Sequence, residues 1–410
     1  MCKRKDHLRG YRAAAMLLAG IALYLPQSVV KATPPQTSEI QLRFKRALGG
    51  IGREGGRGIQ QVDGGGYVVA GLTSSVGDGE WNTWLVKLGS DGSVDWTQAY
   101  SNQRGGYQGG ESVQETRDGG FILAGCANAG SPKDYDVQLI RVDHNGRELW
   151  NRTYGGSGWD WGYCARQTVD DGYIVTGWTD SQGHGGGDLW LIKTDAQGNE
   201  LWNRTYGGVE NDLGNFVLPT DDGGFIITGS TASYSVGNDD LWVIRTDAYG
   251  EVHWMRTFGG TGYDEGCCVE RTSDGGYVIV GSTTSTGAGD HDIWLLKLDA
   301  KGKMEWNRTF GGVEWDWGSA VREAPDGSLI IVGTTLSRGA GDADVWLIKT
   351  DLYGDEEWSR TYGGPDLDFG HSVCSTEDGG YIVTGQTYSF GAGDGDMWII
   401  KTDSQGLATF

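Results

Sequence analysis

The sequence predicts an all-β protein: a seven-bladed β-propeller of four-stranded antiparallel blades, its ring closed by an N-terminal strand that completes the last blade. Three series of residues predict it. An aromatic after a glycine-containing turn recurs at Tyr67, Phe121, Tyr173, Phe225, Tyr277 and Tyr381, with Leu329 in the sixth place. The centre of an apolar five-residue run falls at Trp84, Gln138, Trp190, Trp242, Trp294, Trp346 and Trp398. A third marker follows at Trp96, Trp150, Trp202, Trp254, Trp306 and Trp358, then Phe410. All three advance by 54 residues once and by 52 thereafter. Seven units of four short strands make a propeller, because closure removes the open edges of an extended β array.

The elements follow in order. Residues 1–32 read as a secretory signal peptide: Lys3, Arg4, Lys5, Arg9 and Arg12, the apolar run Ala13–Tyr24, and small residues around Val30-Lys31-Ala32. Residues 33–40 are a spacer and 41–410 the ring, with a period of about 52 residues. In the fifth unit Gly266–Thr272 is a strand ended by the Asp274-Gly275-Gly276 turn, and Tyr277–Ser282 is a β-branched second strand. The loop Thr283–Asp290 leads into Asp292–Lys297, and the Asp299–Gly302 turn returns the chain into Met304–Phe310. Phe44–Gly50 matches Trp306–Gly312 in register, so the first strand is expected to complete the blade at the C-terminus.

Composition excludes several function classes. Glycine is 72 of 410 residues, far above the usual share of about 7%, but 18 Trp, 18 Tyr and 9 Phe exclude a collagen or a disordered chain. The net charge is −22, and removal of the leader leaves 27 basic against 54 acidic residues. Nucleic acid and anionic membrane surfaces are therefore not expected partners. No segment after the leader is apolar enough to insert in a membrane.

Units such as Asp378-Gly379-Gly380-Tyr381-Ile382-Val383-Thr384-Gly385 followed by Asp396-Met397-Trp398-Ile399-Ile400-Lys401-Thr402-Asp403 resemble the secreted and cell-surface propeller-repeat proteins of archaea and bacteria. The likeness covers nearly all of 41–410 and implies fold rather than activity. The hairpin Thr194–Trp202 is also similar to the tryptophan-docking hairpin of quinoprotein (PQQ-like) propellers, with a turn one residue shorter. That likeness implies a vicinal disulfide at Cys267-Cys268 over a quinone. Seven units rather than eight, and scattered cofactor ligands, favour buried small residues there instead.

If the strand opening at the glycine (Gly266 in unit five) is innermost, the interblade connection Gly259–Asp264 and the loop Thr283–Asp292 share one face, with the tight turns opposite. Twelve Trp are locked to the repeat and read as blade-to-blade packing. The other six, Trp81, Trp159, Trp161, Trp178, Trp315 and Trp317, fall in or beside loops of the first face. Aromatics among carboxylates suit sugar stacking or a protein interface, and Trp159, Trp161, Trp315 and Trp317 are the expected anchors. The alternative for all six is cover for the blade ends.

Acidic residues precede the Trp strand at i, i+2 spacing: Asp290/Asp292, Asp342/Asp344 and Asp394/Asp396, with Asp134/Asp136 beside Gln138. Units one, three and four carry Glu80/Asn82, Gly186/Asp188 and Asn238/Asp240. A second acidic position recurs at Asp160, Asp212, Asp264, Asp316 and Asp368. Converging carboxylates admit calcium. Asp side chains that hold turn N–H groups explain the pattern as well, so no cofactor is expected. The six His are scattered, and Cys126, Cys164, Cys267, Cys268 and Cys374 make no disulfide framework. Asn151, Asn203 and Asn307 begin formal glycosylation acceptor triplets. The expectation is a secreted or cell-surface binding propeller whose ligand is carbohydrate or another surface protein. A cation-stabilised structural surface protein is one alternative; a quinoprotein-like or glycan-cleaving enzyme, which needs an axial pocket of singular polar residues, is the other.

Overall fold

The computed structural model describes residues 43–77, 81–101, 107–131 and 134–409. The expected leader (1–32) and spacer (33–40), and the positions Glu80 and Phe410, lie outside these residues. Within them, 28 strands form seven four-stranded sheets, and neighbouring strands pair antiparallel, as predicted.

Blade 5 shows the plan. The innermost strand is Asp264–Arg271, followed outward by Tyr277–Thr283, Asp292–Leu298 and Met304–Phe310. The two middle strands are buried along their whole length, which is why they read as unbroken apolar runs rather than as alternating ones. The outermost strand alternates between half-buried and exposed residues. Its Asn307 accepts a hydrogen bond from the Trp294 indole at 3.3 Å, and Asn203 does the same for Trp190 at 3.2 Å. Packing therefore accounts for the recurrence of asparagine at the formal glycosylation positions.

The seam closes as the register predicted. Phe44–Leu48 pairs antiparallel with Asp396–Thr402, from Phe44 opposite Lys401 to Leu48 opposite Met397. Neighbouring blades are joined by the aromatics of the outermost strands. Trp254 covers the turn glycine Gly302 of the next blade, Trp306 covers Gly354 and Trp358 covers Gly406. Phe44 covers Gly92 in the same way and carries the arrangement across the seam. At the end of the outermost strand, the Tyr154 hydroxyl donates to the Gly198 carbonyl at 2.6 Å, and Tyr206 to Gly250 at 2.6 Å.

One irregularity recurs in all seven blades. The pairing of the innermost strand with its neighbour slips by one residue directly after the glycine, between Gly266 and Cys268 in blade 5 and at the equivalent place elsewhere. A β-bulge leaves one residue unpaired and re-aims its side chain. Here the bulged residues are Arg57, Glu111, Tyr163, Asn215, Cys267, Ser319 and His371, and all seven line a single cavity. A cavity lined by every blade lies on the ring axis.

Candidate binding face and axial cavity

The interblade connections and the loops before the third strands share one face. Backbone hydrogen bonds knit them together: Asp264 N–H donates to Asp239 C=O and Asp316 N–H to His291 C=O. Carboxylates then hold the loops. Asp264 accepts hydrogen bonds from the Thr283 and Ser285 hydroxyls and from Gly260 N–H at 2.9 Å. The turns centred on glycine sit on the other face, where Lys193–Asp170, Lys297–Asp274 and Lys401–Asp378 form ion pairs, each at 2.9 Å.

The structure gathers the six singled-out tryptophans into two aromatic groups plus one outlier. In blades 1 to 3, Trp81 lies against Tyr107 (6.0 Å between ring centroids), and Tyr107 against Trp161 (5.8 Å). Tyr135 bridges Trp161 and Trp159. In blades 5 to 7, Trp315 packs on His291 at 4.5 Å, Trp317 meets it edge-on, and Trp317 stacks on Phe369 at 6.3 Å. Trp159 and Trp315 are the open members, 45% and 48% exposed. Trp161 and Trp317 are each the second residue of an innermost strand and are half-buried. Trp178 belongs to neither group; it sits opposite Trp161 on the adjacent strand and packs on Gly187.

The second group borders a cleft. Its volume is about 350 Å³, with Trp315, Trp317, Tyr263 and His291 as aromatic walls and Asp239 and Glu265 as carboxylates. Tyr263 is 54% exposed. Burial, and after it the nearby Asp212 and Asp240, push the Asp239 carboxyl above its ordinary value. Tyr263, Glu265, His291 and Asp239 were not singled out from the sequence. Their signal was position: Glu265 lies in, and the others flank, the innermost strand or the third strand of a blade whose neighbour carries Trp-Asp-Trp.

The axial cavity is about 210 Å³, a pocket of the kind named above only as a requirement of the enzyme alternative, and its lining residues were not foreseen. Its seven bulge residues are all different, so it is the most individual place in a repetitive molecule. Arg57 donates to the His371 ring at 2.8 Å and lies 3.7 Å from Glu111. Burial, and then the Arg57 charge, hold the His371 imidazole well below its ordinary value, which keeps it neutral. Phe216 occupies a position filled by small residues in the other blades, and the guanidiniums of Arg166 and Arg322 lie over its ring at 4.6 and 5.7 Å. Arg322 also pairs with Glu270 at 3.6 Å. Cys267 and Cys268 are free thiols; Cys267 lines the cavity and Cys268 is buried against the next blade. Burial and Glu265 push the Cys267 thiol well above its ordinary value.

In three of the i, i+2 acidic pairs the two residues differ in burial and role. Asp290, Asp342 and Asp394 are exposed loop residues, whereas Asp292, Asp344 and Asp396 are buried and accept loop N–H groups. In these three pairs the chain is extended only from the second residue onward, so the same-side geometry of a strand does not reach the first, whereas Asp134 and Asp136 both lie in the strand Asp134–Val142. Among the described residues no three His, Cys, Asp or Glu side chains converge as a metal cluster.

The fold and these two features define a seven-bladed β-propeller with an aromatic loop face and a polar axis. No family model matches the chain. It is similar to the regulatory protein FlaEY of Caulobacter vibrioides, at 28% identity over 194 residues. That match covers 40% of this chain, and the chain spans 20% of that protein's length. Among solved structures it is similar to the WD40 domain of Neurospora crassa Pan2, with a TM-score of 0.53, 12% identity and coverage of 89% and 98% of the two chains. It is also similar to Sqt1 of Chaetomium thermophilum bound to the N-terminus of ribosomal protein L10, with a TM-score of 0.47, 9% identity and coverage of 87% and 99%.

Proposed function

We propose that this protein is a non-catalytic binding scaffold, exported to the cell surface or medium, that holds a ligand in the cleft of blades 4 to 6 on the loop face. The observation that carries this is the cleft itself: two aromatic faces, Trp315 and Tyr263, stand open beside the carboxylates of Asp239 and Glu265. Aromatic faces bury the apolar side of a sugar ring while carboxylates accept its hydroxyl protons, so a carbohydrate is the ligand this chemistry fits best. The same walls accept a Lys or Arg side chain over the indole, and the net charge of −22 favours a basic protein segment as the second occupant.

The axial cavity supports the non-catalytic reading. Its charged groups are engaged, Arg57 with Glu111 and the neutral His371 ring, and Arg322 with Glu270. Burial raises both the Tyr163 hydroxyl and the Cys267 thiol, so neither is an activated nucleophile near neutral pH.

The test is a screen of the full chain against glycans and surface-protein peptides, followed by affinity measurements on any hit. Trp315→Ala is expected to weaken binding by about 10- to 100-fold, the worth of one stacked aromatic face. Tyr249→Ala, on an exposed turn of the other face, is expected to leave binding unchanged. Equal affinity of the Trp315 variant and the parent for the hit would refute the cleft.

A further inference from the structure

The axial cavity gathers positive charge at the centre of an acidic chain. Arg57, Arg166 and Arg322 line it, with Glu111 as the carboxylate among the described lining residues, while the chain as a whole carries −22. Glu111 stands beside Arg57, and Glu270 beside Arg322. Arg166 is the charge left over. Among the described residues it makes no ion pair; its guanidinium donates to the Ala165 carbonyl at 2.8 Å and lies over the Phe216 ring at 4.6 Å.

The place of Arg166 in its blade shows what the arginine gives up. It is the seventh residue of the innermost strand Asp160–Gln167, and the first two blades carry Gln60 and Gln114 there. Those glutamines accept backbone N–H groups of the next blade, from Glu115 at 2.9 Å and from Gln167 at 2.7 Å. A guanidinium has no acceptor and cannot make that contact. Arg166 rests on Phe216 instead and lines the cavity.

Other polar groups of the cavity are also unused. Arg57 Nε is buried without a hydrogen-bond partner. The Tyr163 and Ser319 hydroxyls make no hydrogen bond within the protein among the described residues. The space is not sealed, because the Arg57 and Arg322 side chains keep 31% and 21% of their surface exposed. Water satisfies hydroxyls, but a surplus guanidinium in a confined space is matched best by an oxyanion, which its fork binds through two oxygens. At about 210 Å³ the cavity holds more than a lone oxyanion, and Ile59, Val113, Phe216 and Ala320 give it an apolar side.

We propose that the axial cavity binds a small organic acid, its carboxylate on Arg166, its carbon body along Phe216 and its polar atoms on Tyr163, Ser319 and Arg57 Nε. Such a ligand touches several blades at once and ties the ring at its centre. The cavity shares no lining residue with the cleft of the loop face, so the site is independent of the ligand proposed there.

The experiment uses the full chain near pH 7.5 at constant ionic strength. The probes are acetate, lactate, succinate and glutamate, with inorganic phosphate beside them. At least one of these carboxylates is expected to bind with a dissociation constant on the order of 0.1–1 mM by calorimetry, and to raise the melting temperature. Arg166→Gln should weaken that binding by about 10-fold or more; Arg166→Lys, which keeps the charge but loses the fork, should fall between. Arg204→Gln, on an exposed outermost strand, and Trp315→Ala, in the cleft, should leave it unchanged. If Arg166→Gln fails to fold, Arg166→Lys still decides. A parent that binds none of the carboxylates, or equal affinity in the folded Arg166 variants, would overturn the proposal. Phosphate binding as tightly as the best carboxylate would show a bare oxyanion site and overturn it equally, as would loss of binding in Trp315→Ala.

Discussion

Blade docking through the turn glycines can be separated from backbone strain by two substitutions in one blade. Gly302 has φ of +76°, and a Cβ there would stand 2.6 Å from Cζ3 and 2.7 Å from Cη2 of Trp254 in the preceding blade. Gly275, in the other turn of the same blade, has φ of +86° with nothing within 4 Å of its Cβ position. Both pay the left-handed backbone penalty on mutation to alanine, about 1–2 kcal/mol. Only Gly302→Ala also forces a ring aside, which adds about 1–3 kcal/mol of overpacking. Gly275→Ala is therefore expected to cost about 1–2 kcal/mol and Gly302→Ala about 2–5 kcal/mol. Equilibrium urea unfolding followed by tryptophan fluorescence reads the difference, provided the slopes agree. In a Trp254→Ala background the extra cost of Gly302→Ala should vanish. Equal losses in the two glycine variants, or a gap that survives removal of Trp254, would refute the docking account.

The remaining predictions concern acid, a buried ion pair and the cleft. Burial pushes the Asp274 carboxyl up, but the Thr272 hydroxyl and Lys297 outweigh it and bring the group down to about 2. A depressed folded value stabilises above the unfolded value of about 4 and is lost as pH falls through the folded one. The urea midpoint should therefore drop between about pH 4 and pH 2, and Asp274→Asn should flatten that drop. The carboxylates that open the third strands have the opposite sign. Asp188, Asp240, Asp344 and Asp396 are raised, first by burial, so their contribution is present in acid and lost as pH rises through the folded values. Lys401 is fully buried and donates to both Asp378 oxygens, at 3.0 and 2.9 Å. Lys401→Met should cost about 3 kcal/mol by leaving the carboxylate without its cation. Adding Asp378→Asn should recover part of that loss, measured as a double-mutant cycle by urea unfolding. Trp315→Ala, read as ligand affinity, completes the set.

The fold was legible because the repeat puts the same side chains at the same structural places. Trp294 and Trp346 fill equivalent interior positions, Trp254 and Trp306 cover equivalent turns, and Phe44 repeats that role at the seam, so the register alone predicted closure. The axial site was not legible for the same reason. A search for what recurs finds positions that are alike, while the cavity is built from the one position where Arg57, Glu111, Tyr163, Asn215, Cys267, Ser319 and His371 have nothing in common. Of those residues only His371, as a scattered histidine, and Cys267, as a buried small residue, were read from the sequence. The visible signal would have been a column of unrelated residues directly after the recurring glycine of each unit.

By itself, then, the sequence determined the blade count, the strand order, the closing strand and the face that carries the spare tryptophans. These follow from local periodicity and turn chemistry, which act over a few residues. Tertiary structure decided which groups meet. The bulge turned one residue per blade to the axis, and ring packing set Asp292 against Asp316 of the next blade rather than against Asp290 two residues away. Trp315 and Trp317 acquired Tyr263, His291, Asp239 and Glu265 as cleft partners from neighbouring blades. Contacts between blades depend on how the sheets twist and stack around an axis, and no spacing within one repeat records that.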